Sequence, residues 1–232
     1  AHVRRLVTLA ATIGIAVVVA SAATRGWSAG ATTDVDIAKN EPGTPPADFQ
    51  FLHTGEGEPG RWTVVRDTRA IYGTAIEHAS TDQHENRFAL AIYAPLSSRD
   101  FKLSVRFKIL KGTMQTAGLV ARFVNIDSYY VVGASALEER VDLSRVVDGK
   151  MERIWETDAD VALDHWHLLE LQATDDQFII SLDHVWLFTA RDNSLLSEGQ
   201  VGLWTEEDTI TRFDRLEIEA FPASEQRCCR IE

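Results

Sequence analysis

The sequence predicts an all-β protein, a two-sheet antiparallel β-sandwich, and three observations carry that expectation. Apolar and polar side chains alternate with a period of two through many short segments. Turn-forming residues break those segments at close intervals, and no long stretch of helical period intervenes. With 45% hydrophobic residues among 232, the chain also has enough apolar material for one sizeable core between two sheets.

From the N-terminus, His2, Arg4 and Arg5 precede an apolar or small-residue run over residues 6–20, and Ala20-Ser21-Ala22 offers a small-x-small cleavage site. Residues 1–23 therefore read as an export signal, placing the protein in the periplasm or secreted. An uncleaved anchor is the alternative, because the run is about long enough to span a bilayer; membrane contact would then be confined to that segment. Residues 24–33 read as a linker, 34–221 as the sandwich and 222–232 as a tail. The only cysteines, Cys228 and Cys229, are neighbours in that tail and cannot staple the core.

Within the sandwich, residues 35–38 are expected to form the first strand and to pair with residues 216–220. A Pro-rich loop follows, then short strands at 49–52, 62–65 and 76–77 between Gly and Asp turns. Residues 87–93 and 101–109 are longer; in the second, Leu103, Val105, Phe107 and Ile109 alternate with Lys102, Ser104, Arg106 and Lys108. Residues 118–123, 129–135, 141–147 and 151–156 complete the middle, the last two joined by Asp148-Gly149, a strong type I′ hairpin signal. Residues 164–220 then give five strands in a row. Leu169, Leu171 and Ala173 alternate with Glu170 and Gln172, and Asp183-His184 reverses the chain between 178–182 and 185–188.

Trp166-His167, Gly199, Val201-Gly202-Leu203 and Phe213-Asp214 with Leu216 recur in one family. On these motifs the chain resembles the concanavalin A-like jelly rolls, nearest to the bacterial domains named for 3-keto-disaccharide hydrolases and also described as laminin-G-like. The resemblance covers most of residues 34–221 and implies a carbohydrate partner. Lectins, glycosidases and inert spacers share this fold, so the resemblance sets the architecture more firmly than the activity. The expected role is glycan binding or recognition. Hydrolysis of a glycosidic bond of the 3-keto-disaccharide type and a structural envelope domain without a small ligand are the alternatives.

The resemblance also implies a ligand face. Relatives carry Tyr-Tyr-x-x-Arg-x-Asn-Ala-Leu-Glu on one strand; here YYVVGASALE keeps Tyr129, Tyr130 and Glu138, with Gly133 at the Arg position and Ser135 at the Asn position. The next strand carries Asp142 and Ser144 where relatives have Arg and Tyr. By alternation Tyr129, Gly133 and Ser135 share a face, and Arg122 is expected beside them, with Glu138 and an exposed Trp204 completing the ligand set. Of Trp155, Trp186 and Trp204, at least two are expected to be packed inside.

Catalysis on this architecture needs paired carboxylates, about 5–5.5 Å apart in retaining glycosidases. The nearest candidates are Glu138 and the ETDAD acids, Glu156 and Asp158, which would share a strand face. Calcium could be held by oxygen ligands from Asp82, Glu85, Asn125 and Asp127 in polar loops. His165 and His167 have strand spacing for a shared metal but lack further ligands, so His167 reads as a satisfied, half-buried side chain. Finally, 23 basic against 35 acidic residues give 23 − 35 = −12. This excludes the basic footprint that nucleic acid or anionic lipid requires and favours a neutral or cationic partner.

Overall fold

The computed structural model describes residues 32–221 apart from Glu58, Glu85 and Glu207. The segment read as an export signal, most of the expected linker and the Cys228-Cys229 tail lie outside the described residues. The strands are β1 (Thr32–Asp34), β2 (Phe49–His53), β3 (Arg61–Arg66), β4 (Thr74–Ala79), β5 (Phe88–Ser98), β6 (Phe101–Lys111), β7 (Thr116–Asn125), β8 (Ser128–Ser135), β9 (Arg140–Val147), β10 (Lys150–Asp158), β11 (His167–Thr174), β12 (Gln177–Leu182), β13 (Val185–Arg191), β14 (Gly199–Glu206) and β15 (Ile210–Ala220). They form two antiparallel sheets. The first runs β13-β12-β11-β6-β15-β4-β3 with β1 also on β15; the second runs β10-β9-β8-β7-β14-β5-β2.

Period-two alternation places the core. On β11, Leu169, Leu171 and Ala173 are buried while Glu170 and Gln172 are half-buried on the other side. Leu169 and Leu171 stand opposite Val105 and Leu103 of β6, which in turn pairs with Leu216 and Ile218 of β15. These side chains meet Leu119, Tyr130, Val132, Leu143 and Leu203 of the second sheet in one continuous inter-sheet core. A second, smaller cluster forms on the opposite side of the second sheet: Leu90, Ile92, Val120, Phe123, Tyr129, Val131, Val146 and Trp204.

Both expected tight turns form. Asp148 and Gly149 have φ of 51° and 73°, and Asp183 and His184 have φ of 51° and 66°, the positive pair that a type I′ turn demands. The first strand differs from expectation. Residues 32–34 pair with Glu217–Glu219, and only the Val35 amide continues the ladder, to the Leu216 carbonyl at 2.9 Å. Ile37–Lys39 is a 3-10 turn capped by the Asp36 side chain. Val35 and Ile37 are drawn into the core end, which bends the chain off the sheet edge.

Candidate functional site

Five strands of the second sheet align one row of residues on its outer face. Trp204 of β14 stands opposite Gly118 of β7, Gly118 opposite Gly133 of β8, Gly133 opposite Asp142 of β9, and Asp142 opposite Glu156 of β10. Two adjacent glycines thus separate an indole from a carboxylate. Gly118 is fixed by backbone approach, since a Cβ there would lie 1.8 Å from the Val132 carbonyl oxygen. Gly133 is enclosed by side chains instead. A Cβ there would come within 3.2 Å of Asp142 Oδ1, 3.6 Å of Thr116 Cγ2 and 3.7 Å of Trp204 Cζ3.

Asp142 is half-buried, and its Oδ2 accepts from the Ser144 hydroxyl at 2.8 Å. Burial pushes its carboxyl above the ordinary carboxylate range, against the Ser144 hydrogen bond and the charges of Arg153 and Arg140; Glu156 adds to the rise. Along the rim, Arg140 pairs with Glu138 and lies 3.6 Å from Glu156, which Arg153 also holds at 2.8 Å. The three catalytic candidates are therefore placed unequally. Glu156 faces Asp142 across adjacent strands, Glu138 sits at the rim beyond β8, and Asp158 is exposed at the end of β10.

Toward the other end of the same face lies a cavity of about 550 Å³, lined among others by His53, Phe88, Ile126, Asp127, Tyr129 and Val146. Tyr129 is fully buried in its wall and packs 5.9 Å from Phe123. Burial, with the nearby Asp127 charge, raises its hydroxyl, so the group stays a neutral donor. That hydroxyl has no hydrogen-bond partner among the described residues, and neither does Trp204 Nε1. Phe88, which lines the cavity, stacks on Trp204 at 5.1 Å.

Several expected site residues stand elsewhere. Arg122 does not share the face of Tyr129. It occupies a β-bulge with φ of 48° and turns its guanidinium into the sandwich end. There it donates to the carbonyls of Arg99 (2.9 Å), Leu195 (3.1 Å) and Asp175 (2.6 Å) and lies over the Phe178 ring. Arg122 is a structural clamp. Ser135 does lie on the outer face, but its hydroxyl accepts from the Glu138 amide at 3.2 Å, closing the turn after β8. Trp204 is on the expected face yet only 4% exposed, so it is a wall and not a free platform. Trp155 and Trp186, at 53% and 62%, are the exposed ones, because they sit on the edge strands β10 and β13.

Two of the calcium candidates, Asp82 and Asn125, have protein contacts of their own. Asp82 receives His84 and lies 3.9 Å from Arg87, while Asn125 Oδ1 accepts the Asp127 amide within the β7–β8 turn. Glu85 lies outside the described residues. Among the described residues no group of three or more His, Cys, Asp or Glu converges. His167 is satisfied as expected, with Asp183 at 2.8 Å from Nδ1 and the Ala162 amide donating to Nε2 at 3.0 Å.

The outer face of the first sheet carries a charge network that alternation alone does not reveal. Buried Lys108 donates to Asp67 at 2.7 Å, and Arg212 bridges Asp67 and Glu77 at 2.8 Å each. Burial alone would raise the Asp67 carboxyl; hydrogen bonds from Lys108, Arg212 and the Arg69 amide hold it well below its usual range. Arg106 pairs with Asp214 at 2.8 Å, and both Arg106 and Lys108 lie over Trp166.

No protein-family model and no curated protein sequence matches the chain. Solved structures do share its fold. The carbohydrate-binding module CBM66 from Bacillus subtilis superposes with a TM-score of 0.58 at 22% identity, over 73% of this chain and 95% of that one. A Bacillus subtilis protein of unknown function with a galectin-like fold gives 0.58 at 8% identity, over 83% and 97%. Domain 4 of AbnA, a GH43 extracellular arabinanase from Geobacillus stearothermophilus, in complex with arabinotriose, gives 0.53 at 13% identity, over 84% and 94%. The chain is a two-sheet β-sandwich of the jelly-roll and galectin-like kind.

Proposed function

We propose that this is an exported carbohydrate-binding protein whose ligand lies on the outer face of the second sheet, at the Tyr129 cavity. One observation carries the reading: Tyr129, whose buried hydroxyl has no partner among the described residues, lines a cavity of about 550 Å³ whose wall mixes polar side chains (His53, Thr54, Asn86, Asp127) with apolar ones (Phe88, Ile126, Val146, Met151). A wall that mixes the two suits a sugar, which offers a C–H face and hydroxyls together. A buried hydroxyl left without a partner is costly until a ligand supplies one. The likeness to a carbohydrate-binding module and to an arabinanase domain bound to arabinotriose supports the same class of ligand.

The test is a glycan array with the full chain, followed by calorimetric titration of the strongest glycan. Tyr129→Phe removes the donor and keeps the packing, so affinity is expected to fall about two- to ten-fold with folding stability unchanged or higher. Absence of any bound glycan, or an unaltered affinity in Tyr129→Phe, refutes this site.

A second reading is hydrolysis of a glycosidic bond, in a modified disaccharide such as a 3-keto-glycoside. Its support is the Asp142–Glu156 pair, one carboxyl raised by burial and the other ion-paired to Arg153 and Arg140. Two carboxyls in unequal surroundings are the arrangement that glycosidases use. Sugar release from a 3-keto-glycoside by the wild type and not by Glu156→Gln would establish it; binding without release would leave the lectin reading alone.

A further inference from the structure

Resting on that carbohydrate reading, we infer that the Tyr129 cavity selects a sugar bearing a free, protonated amine, and that the Asp127 carboxylate receives the ammonium. Asp127 is fixed by its backbone. Its amide donates to Asn125 Oδ1 at 2.8 Å, and its carbonyl accepts from the Gly149 amide at 3.1 Å. Its carboxylate is left over: among the described residues it accepts no hydrogen bond and joins no ion pair. Gly149 gives that carboxylate its room, because a Cβ there would lie 3.0 Å from Asp127 Oδ1. Asp127, Gly149 and Tyr129 all line the cavity.

Tyr129 supplies an independent observation on the same wall. Its side chain is fully buried and its hydroxyl is unpartnered among the described residues, so a polar group there awaits a partner. The Asp127 charge adds to the burial that keeps this hydroxyl neutral, and a neutral hydroxyl can accept a proton as well as donate one. An ammonium brings three donors, and its hydrogen bond to a carboxylate is roughly twice as strong as one between neutral groups.

The surrounding charges decide the class of sugar. No lysine or arginine stands among the lining residues; the basic side chain on the wall is His53, whose Nδ1 faces the Thr54 carbonyl at 3.4 Å. An anionic sugar would therefore meet Asp127 without a fixed cation to receive it. The chain's net charge of −12 acts the same way at longer range, drawing cations and repelling anions.

The experiment titrates the full-length wild type, Asp127→Asn and Tyr129→Phe by calorimetry with a glucosamine oligosaccharide, its N-acetylated form and the glucose oligosaccharide of the same linkage. Each titration is repeated in EDTA, and thermal unfolding of each protein is recorded. The wild type is expected to bind the free amine about ten-fold or more tightly than the other two, with EDTA or without. Asp127→Asn, whose carboxylate has no protein partner to lose, should bring the three affinities together and leave Tm unchanged. Equal affinities in the wild type, no binding of the free amine, or a preference that survives Asp127→Asn would overturn this inference. Loss of binding in EDTA would do so too, by assigning Asp127 to a metal. In each of these cases an array glycan whose binding Tyr129→Phe weakens would spare the binding reading. Failure of the wild type to bind any glycan would remove both.

Discussion

The two outer faces of the sandwich differ in what lies above them. Each carries buried polar groups above a sheet. On the first sheet, Lys108, Asp67, Arg212 and Glu77 saturate one another, and Arg106 pairs with Asp214. The loop after β3 seals that face, the Arg69 amide reaching Asp67 and the Ile71 amide reaching Asp214. On the second sheet, the Tyr129 hydroxyl and Trp204 Nε1 lack hydrogen-bond partners among the described residues, and Tyr129 lines a cavity of about 550 Å³. The first face keeps unpartnered buried atoms as well, Asp214 Oδ1 and Trp166 Nε1, but they sit within a network of ion pairs. The cavity, and not polarity, is what sets the second face apart, because the first face is the more charged of the two.

The largest effect should come from breaking the sealed face. Asp67→Asn leaves Lys108, which is fully buried, with only the more distant Asp164 at 3.9 Å and is expected to destabilise by about 3–5 kcal/mol in urea unfolding. The pH dependence has a defined sign. The Asp67 carboxyl is held below its free value of 3.8 in the folded state, so its stabilisation is present above about pH 4 and is lost as pH falls through the folded value. Asp67→Asn should therefore flatten the acid limb of the stability profile. Asp142 contributes the opposite sign: its raised carboxyl adds a cost that appears as pH climbs through the window just above 3.8, and Asp142→Asn should remove it.

Arg122→Ala sharpens the comparison from another side. It abandons three carbonyls and the nearby Asp100, so a loss of about 3–5 kcal/mol is expected. Glycan affinity of the surviving folded fraction should be unchanged. A selective loss of binding with stability intact would return Arg122 to the ligand face.

The smallest effect belongs to a turn remote from both faces. His184 holds φ of 66°, which glycine adopts with less strain, and its side chain is largely exposed. His184→Gly is expected to stabilise by about 0.5–1 kcal/mol, strain relief outweighing the added freedom of the unfolded chain. A lower urea midpoint would mean that the 3.6 Å approach of its ring to Glu170 matters more than the turn.

The strands and both type I′ turns were legible because their signals are local: alternation marks the buried face, and Asp-Gly or Asp-His between two apolar runs marks the reversal. β1 was displaced because Thr32-Thr33-Asp34 has no apolar alternation, while Val35 and Ile37 mimic a strand yet plug the core. Arg122 escaped because a bulge reverses side-chain parity, and nothing in its neighbours announces a positive φ. The exposure of Trp155 and Trp186 depended on edge positions that only strand order reveals. The burial of Tyr129 and Trp204, which Phe123 and Phe88 help bring about, depends on packing that alternation does not report. Asp142 stood out in the sequence as a departure from a resembling pattern. Its place beside Gly133 and opposite Glu156 comes from the cross-strand register.

The most direct measurement is the crystal structure of the full chain soaked with the strongest glycan from the array. The account expects a sugar ring on the outer face of the second sheet, in the Tyr129 cavity, within hydrogen-bond distance of the Tyr129 hydroxyl or the Asp127 carboxylate. A sugar seated on the charged face of the first sheet, or against Trp155 or Trp186 at the sheet edges, would contradict it.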